Sequence, residues 1–75
     1  MELRHIRYFK AVAEEKNFTR AAEKLAIAQP PLSRQIQDLE EELGTELFVR
    51  SPHKVTLTEE GELFLQYASQ ILDLV

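Results

Sequence analysis

Two adjacent prolines, Pro30 and Pro31, stand between an alanine-rich segment and a long apolar stripe. Proline lacks a backbone N–H and clashes with the preceding helical turn, so a helix accepts it only in the first turn, where donors have no partner. Any helix through this region must therefore begin within about two residues of position 30. Downstream, Leu32, Ile36, Leu39 and Leu43 fall at i, i+4, i+7 and i+11, one face of a helix. The opposite face carries Pro30, Ser33, Arg34, Gln37 and Glu41. Gly44 is the expected stop. Upstream, Ala21, Ala22 and Leu25 form the buried side of a shorter helix for which Thr19 is the expected N-cap. Ala26-Ile27-Ala28 is then the connection. A short helix, a tight turn and a second helix with a polar outer face make a helix-turn-helix over about 18–43, an arrangement whose second helix suits the DNA major groove.

The flanks extend this unit. Leu3, Ile6, Phe9, Val12 and Ala13 have helical spacing and predict a first helix running to about Lys16, broken by Asn17. After Gly44, Leu47-Phe48-Val49-Arg50 and Val55-Thr56-Leu57 are β-prone and flank the turn-like Ser51-Pro52-His53-Lys54. They predict a hairpin wing over about 47–57. Thr58 should cap a last helix, with Glu59 and Glu60 favourable to the helix dipole in its first turn. The fold class is therefore mostly α: a three-helix core with a short β-hairpin over 1–58, then a long linker helix beginning at 59–75. The apolar positions of that helix, Leu63, Phe64, Tyr67, Ala68, Ile71, Leu72, Leu74 and Val75, cover more than one contact requires. Part should pack on the domain; the rest, with Leu63, Phe64, Tyr67, Ile71, Leu72, Leu74 and Val75 as candidates, should dimerise. The chain ends while still helical and is expected to be part of a longer protein.

A net charge of −4 argues at first against a polyanionic partner. Its distribution argues otherwise. Residues 16–36 hold Lys16, Arg20, Lys24 and Arg34 against Glu23 alone, while residues 37–46 hold Asp38, Glu40, Glu41, Glu42 and Glu46 without a cation. Residues 47–58 carry only Arg50 and Lys54 among fixed charges. Positive charge thus sits on the proposed reading element and the wing. Cysteine is absent, which excludes disulfides and thiolate metal sites and fits a reducing cytoplasm. No secretory leader is expected after Met1, and no apolar run approaches the ~20 residues that span a membrane.

In order and ungapped, several stretches resemble the amino-terminal domain of LysR-type transcriptional regulators: Leu3-Arg4-His5-Ile6-Arg7-Tyr8-Phe9, Asn17-Phe18-Thr19-Arg20-Ala21-Ala22 and Gln29-Pro30-Pro31-Leu32-Ser33-Arg34-Gln35-Ile36. Leu39-Glu40-Glu41-Glu42-Leu43-Gly44, Leu47-Phe48-Val49-Arg50 and Thr56-Leu57-Thr58-Glu59-Glu60-Gly61 extend the likeness over the whole chain. The Gln29–Ser33 wording and the opening Met1-Glu2-Leu3-Arg4-His5 are similar to the branch that controls aromatic-compound catabolism, including benzoate- and muconate-responsive regulators. The resemblance implies a winged helix-turn-helix, a dimerising linker helix, and a separate effector-binding domain through which a small-molecule inducer acts. It also implies dimers or tetramers on an interrupted palindrome in double-stranded operator DNA.

Arg34 is the first candidate for base reading, since an outward Arg in a recognition helix can grip guanine or a phosphate with two hydrogen bonds. Ser33 and Gln37 can donate and accept at base edges, and Gln29 either does so or caps the helix. Pro30 inherits from the resemblance an apolar contact with a thymine methyl. Thr19, Arg20, Lys24, Pro31, Arg50, His53 and Lys54 are candidates for the DNA backbone, where basic side chains mostly set register. The family often carries Arg at the wing tip, so His53 departs from its pattern and makes a tip contact sensitive to pH near the imidazole pKa. An enzyme is not expected: there are two histidines, no glycine-rich phosphate loop and no metal-spaced cluster, and no cofactor or metal is implied. Glu40-Glu41-Glu42 are read as a solvated acidic face. The alternative function is a winged helix used for protein–protein contact, though the outward Ser33, Arg34 and Gln37 lack the apolar anchors of such a surface.

Overall fold

A computed structural model describes residues 1–52 and 54–75. The elements follow in the order α1 (Leu3–Glu15), α2 (Phe18–Leu25), α3 (Gln29–Leu43), β1 (Phe48–Ser51), β2 (Lys54–Leu57) and α4 (Glu59–Asp73). The strands pair antiparallel, from Phe48 opposite Leu57 to Ser51 opposite Lys54. The elements expected from periodicity are thus realised as four helices and one hairpin, with the tip position His53 outside the described residues.

Each helix end has a local cause. Lys16 closes α1 in the left-handed conformation (φ 55°), and its N–H donates to the Val12 carbonyl at 2.8 Å. Asn17, not Thr19, caps α2: its Oδ1 accepts from the Arg20 N–H at 2.9 Å, and Thr19 lies inside the helix. Both residue types suit an N-cap, and the start two residues earlier brings Phe18 into the helix, with its ring 6.0 Å from that of Phe48. Ala26 ends α2 in the left-handed region, and the Ile27 N–H reaches back to the Ala22 carbonyl at 3.0 Å, a bond that wraps the helix end. The turn is thereby short, and α3 starts at once with Gln29, Pro30 and Pro31 in its first turn. Gly44 (φ 73°) stops α3, donating to the Glu40 carbonyl at 2.9 Å.

The core lies where α1, α2, α3 and the hairpin converge. Phe9, Val12, Leu32, Ile36, Leu39 and Leu47 are sealed from solvent, and Ala21 and Ala22 let the helices approach closely. Phe9 is the hub of an aromatic group, 5.3 Å from the Phe48 ring and edge-on to Phe64 at 4.9 Å. Helix α4 docks through Gly61, whose added Cβ would lie 2.0 Å from the Leu47 carbonyl oxygen, and through the buried Ala68. Thr58 secures the junction: its hydroxyl donates to the Glu46 carbonyl at 2.7 Å and accepts from the Gly61 N–H at 2.9 Å. Phe64, Leu65 and Leu72 are partly buried against the core, so Phe64 and Leu72 offer only part of their surface to a dimer partner. Leu63, Tyr67, Ile71, Leu74 and Val75 remain exposed. Among the described residues, no helix is long and apolar enough to cross a membrane, and no group of three His, Asp or Glu could hold a metal ion.

Candidate nucleic-acid interface

Burying Leu32, Ile36 and Leu39 forces the other side of α3 outward, and Pro30, Pro31, Arg34 and Gln37 are exposed on it. Pro30, Pro31 and Arg34 line one shallow depression at the helix start. Ser33 is half-buried, and its Oγ accepts from Gln29 Nε2 at 2.7 Å. Gln29 is therefore not a cap; the N-cap is Ala28, which makes no side-chain cap bond. In this pairing the Ser33 hydroxyl keeps its O–H donor and one acceptor lone pair, while Gln29 keeps its carbonyl oxygen as an acceptor. Gln35, on the margin of this face, has a buried Oε1 with no hydrogen-bond partner among the described residues.

The basic candidates divide into two sets. Arg20, Arg34 and Lys54 are exposed and make no ion pair among the described residues. Lys54 shares a concavity with Lys16, Asn17, Phe18, Thr19, Ser51, Pro52 and Val55, so the hairpin's outer end and the start of α2 border one hollow. Thr19 and Lys54, distant in sequence, are brought together there. Lys24 instead binds Glu14 at 3.4 Å and Glu15 at 3.6 Å, joining α2 to the end of α1. Arg50 is held on both sides: Nη2 lies 3.1 Å from Glu40 Oε1, and the guanidinium carbon is 5.3 Å from the Phe18 ring centroid. The reading placed on His53 lies outside the described residues.

Glu40 overturns the picture of a uniformly solvated acidic run. Its side chain is buried, and Oε2 accepts from the Leu47 N–H at 2.7 Å and the Phe48 N–H at 3.2 Å. Glu41 and Glu42 are exposed. The signal was present in the spacing, since Leu32, Ile36 and Glu40 follow at steps of four and place the carboxylate on the inner stripe.

With this geometry in view, the sequence pattern of bacterial regulatory helix-turn-helix proteins of the lysR family matches residues 3–62. The chain belongs to the LysR family. The regulator BenM of Acinetobacter baylyi is 64% identical over 72 residues, which are 96% of this chain and 24% of BenM. The chain spans about a quarter of the length of most curated relatives it matches. The DNA-binding domain of BenM, solved in complex with catB site 1 DNA, superposes with a TM-score of 0.94 at 63% identity, covering 97% of this chain and 81% of that one. The CbnR domain–DNA complex gives 0.96 at 47% identity, covering 99% and 85%. The winged-helix fold of these DNA-binding domains is thus shared, four helices and a two-stranded wing, with the long linker helix covered only in part.

Proposed function

We propose that this LysR domain binds double-stranded operator DNA sequence-specifically, with α3 in the major groove and the wing on a flanking groove or its phosphates. The observation that carries the reading is the outer face of α3. Arg34, Gln37 and the Gln29–Ser33 pair stand on a helix start fixed by prolines, with Arg34 in no ion pair among the described residues. A protein-contact surface would place aromatic or aliphatic anchors there. Ser33, Arg34, Gln29, Gln37 and Pro30 are the base-reading set; Thr19, Arg20, Pro31 and Lys54 contact the backbone, with His53 at the wing tip and Lys24 in a lesser role. Arg50 is engaged by Glu40 and serves DNA binding through the wing's position.

The exposed Leu63, Tyr67, Ile71 and Leu74 follow at helical spacing along α4 and support a homodimer, hence a two-fold, interrupted site. The longer protein carries an effector-binding domain, forms tetramers and regulates transcription in the bacterial cytoplasm in response to a small-molecule inducer. The domain itself performs no catalysis. Selection of bound duplexes from a random DNA pool tests the reading: recovery of a two-fold motif is expected. No enrichment would remove DNA binding and leave the protein-contact role.

A further inference from the structure

Glu40 is the one carboxylate of the acidic stretch that the fold buries, and every hydrogen bond of its side chain leads to the hairpin or its entrance. One oxygen takes the N–H groups of Leu47 and Phe48; the other takes Arg50. Residues 47, 48 and 50 are the entrance and first half of the wing, whereas Glu40 belongs to the same rigid helix as Arg34 and Ser33. Arg50 carries the connection further by lying on Phe18 at the start of α2. We infer that Glu40 is the positioning residue of the wing, fixing the hairpin against the reading helix and so the span between the groove-facing side of α3 and Lys54.

The chemistry requires a carboxylate. Two acceptor oxygens serve two backbone N–H groups on one side and a guanidinium on the other. A glutamine of the same shape has one acceptor oxygen, and its NH2 group must face either the amides or the Arg50 cation. One side of the clamp is then donor against donor. Arg50 accordingly acts through Glu40 and Phe18 rather than on a phosphate of its own. The inference rests on the DNA-binding reading above, and it predicts an effect of unexpected sign. Glu40→Gln removes a negative charge from the domain, which by electrostatics alone tightens binding to a polyanion. Misplacing the wing weakens it.

The test is a double-mutant cycle between Glu40→Gln and Lys54→Ala. Affinity is read by fluorescence anisotropy on a labelled duplex recovered by the selection, and folding is checked by circular dichroism. Glu40→Gln is expected to weaken binding about tenfold, equivalent to about 1.4 kcal/mol. In that background Lys54→Ala should cost almost nothing more, because the wing no longer reaches its place. A loss of folded fraction alone would leave the Lys54 effect intact, and that result overturns the proposal, as does unchanged or tighter binding. If Glu40→Gln does not fold, Arg50→Lys is used; it keeps both backbone bonds to Glu40 but loses the planar fork, and it should diminish the Lys54 effect in the same way. An undiminished effect there likewise overturns the proposal. Absence of any selected duplex would instead refute the DNA-binding reading itself.

Discussion

Replacing Gly61 by alanine sets two effects of opposite sign against each other. Alanine in a helix is favoured over glycine by about 1 kcal/mol, so propensity alone predicts stabilisation. The packing predicts the reverse. The new Cβ would fall 2.0 Å from the Leu47 carbonyl oxygen and 3.0 Å from both its carbon and Leu57 Cδ2. Ordinary contact lies at about 3.5–4.0 Å, so either α4 or the strand entrance must retreat by more than an ångström. That carbonyl is not free to swing away, because it accepts from the Thr58 N–H at 3.0 Å. Overpacking of this kind costs about 1–3 kcal/mol, and the strained hydrogen bond adds about 0.5–1.5 kcal/mol. After subtracting the propensity gain, the net loss is about 2 kcal/mol, a large share of the ~3–5 kcal/mol expected of so small a core. At about 4–8 °C per kcal/mol, the midpoint should fall by about 8–16 °C in a thermal melt followed by circular dichroism. Gly44→Ala is the comparison: φ is +73° but nothing lies within 4 Å of the new Cβ, so only the left-handed backbone cost of about 1–2 kcal/mol applies. An unchanged or raised midpoint for Gly61→Ala would refute the claim that α4 is seated by backbone-to-backbone approach.

Arg34→Ala should cost about 1–3 kcal/mol of binding to the selected duplex in an anisotropy titration, and an unchanged Kd would remove Arg34 from the reading set. Lys54→Ala should weaken binding to all duplexes alike and reduce the slope of log affinity against log salt by about one; a loss confined to the selected sequence would mean that the wing reads bases. Glutamate at both Leu63 and Tyr67, which are exposed on α4, should give monomers in sedimentation equilibrium. A persisting dimer would place the self-contact on another surface.

The elements were legible because each carried a local signal: paired prolines, a stop glycine, a capping threonine, a strict apolar period. What local signals missed was decided by contacts far along the chain. Asn17 and Thr19 both suit a cap, Asn somewhat better, and the aromatic packing of Phe18 on Phe48 adds to the preference for the earlier start. Glu40 looks like its neighbours Glu41 and Glu42 until the strand entrance, seven and eight residues on, presents two N–H groups to it. On α4, two apolar stripes overlap. Gly61, Leu65, Ala68 and Leu72 form the docking side, with two small residues that a hydrophobicity pattern undervalues, while Leu63, Tyr67 and Ile71 are left outside.

The same distinction governs charge, where counting misleads and placement informs. Arg4, Lys10, Lys24 and Arg50 have their cations answered by nearby carboxylates. Arg20, Arg34 and Lys54, by contrast, lie on the helix-turn-helix and wing without an ion pair among the described residues. The acidic half of α3 begins at Asp38, about 6 Å along the helix from Arg34, but most of it lies farther: from Arg34 to Glu42 the helix rises about 12 Å, longer than the ~8 Å over which physiological salt screens a charge. A phosphate at the N-terminal half of α3 is therefore governed by Arg34 and its near neighbours, and Glu42 contributes little. Within the acidic half, the nearest carboxylate to the wing is Glu40, and it is consumed internally by two amides and a guanidinium. An acidic total is thus compatible with a cationic working face: the fold spends Glu40 on structure and holds Glu41 and Glu42 more than a screening length from Arg34, while Asp38, about 6 Å along the helix, is the one exposed carboxylate of α3 left close to it.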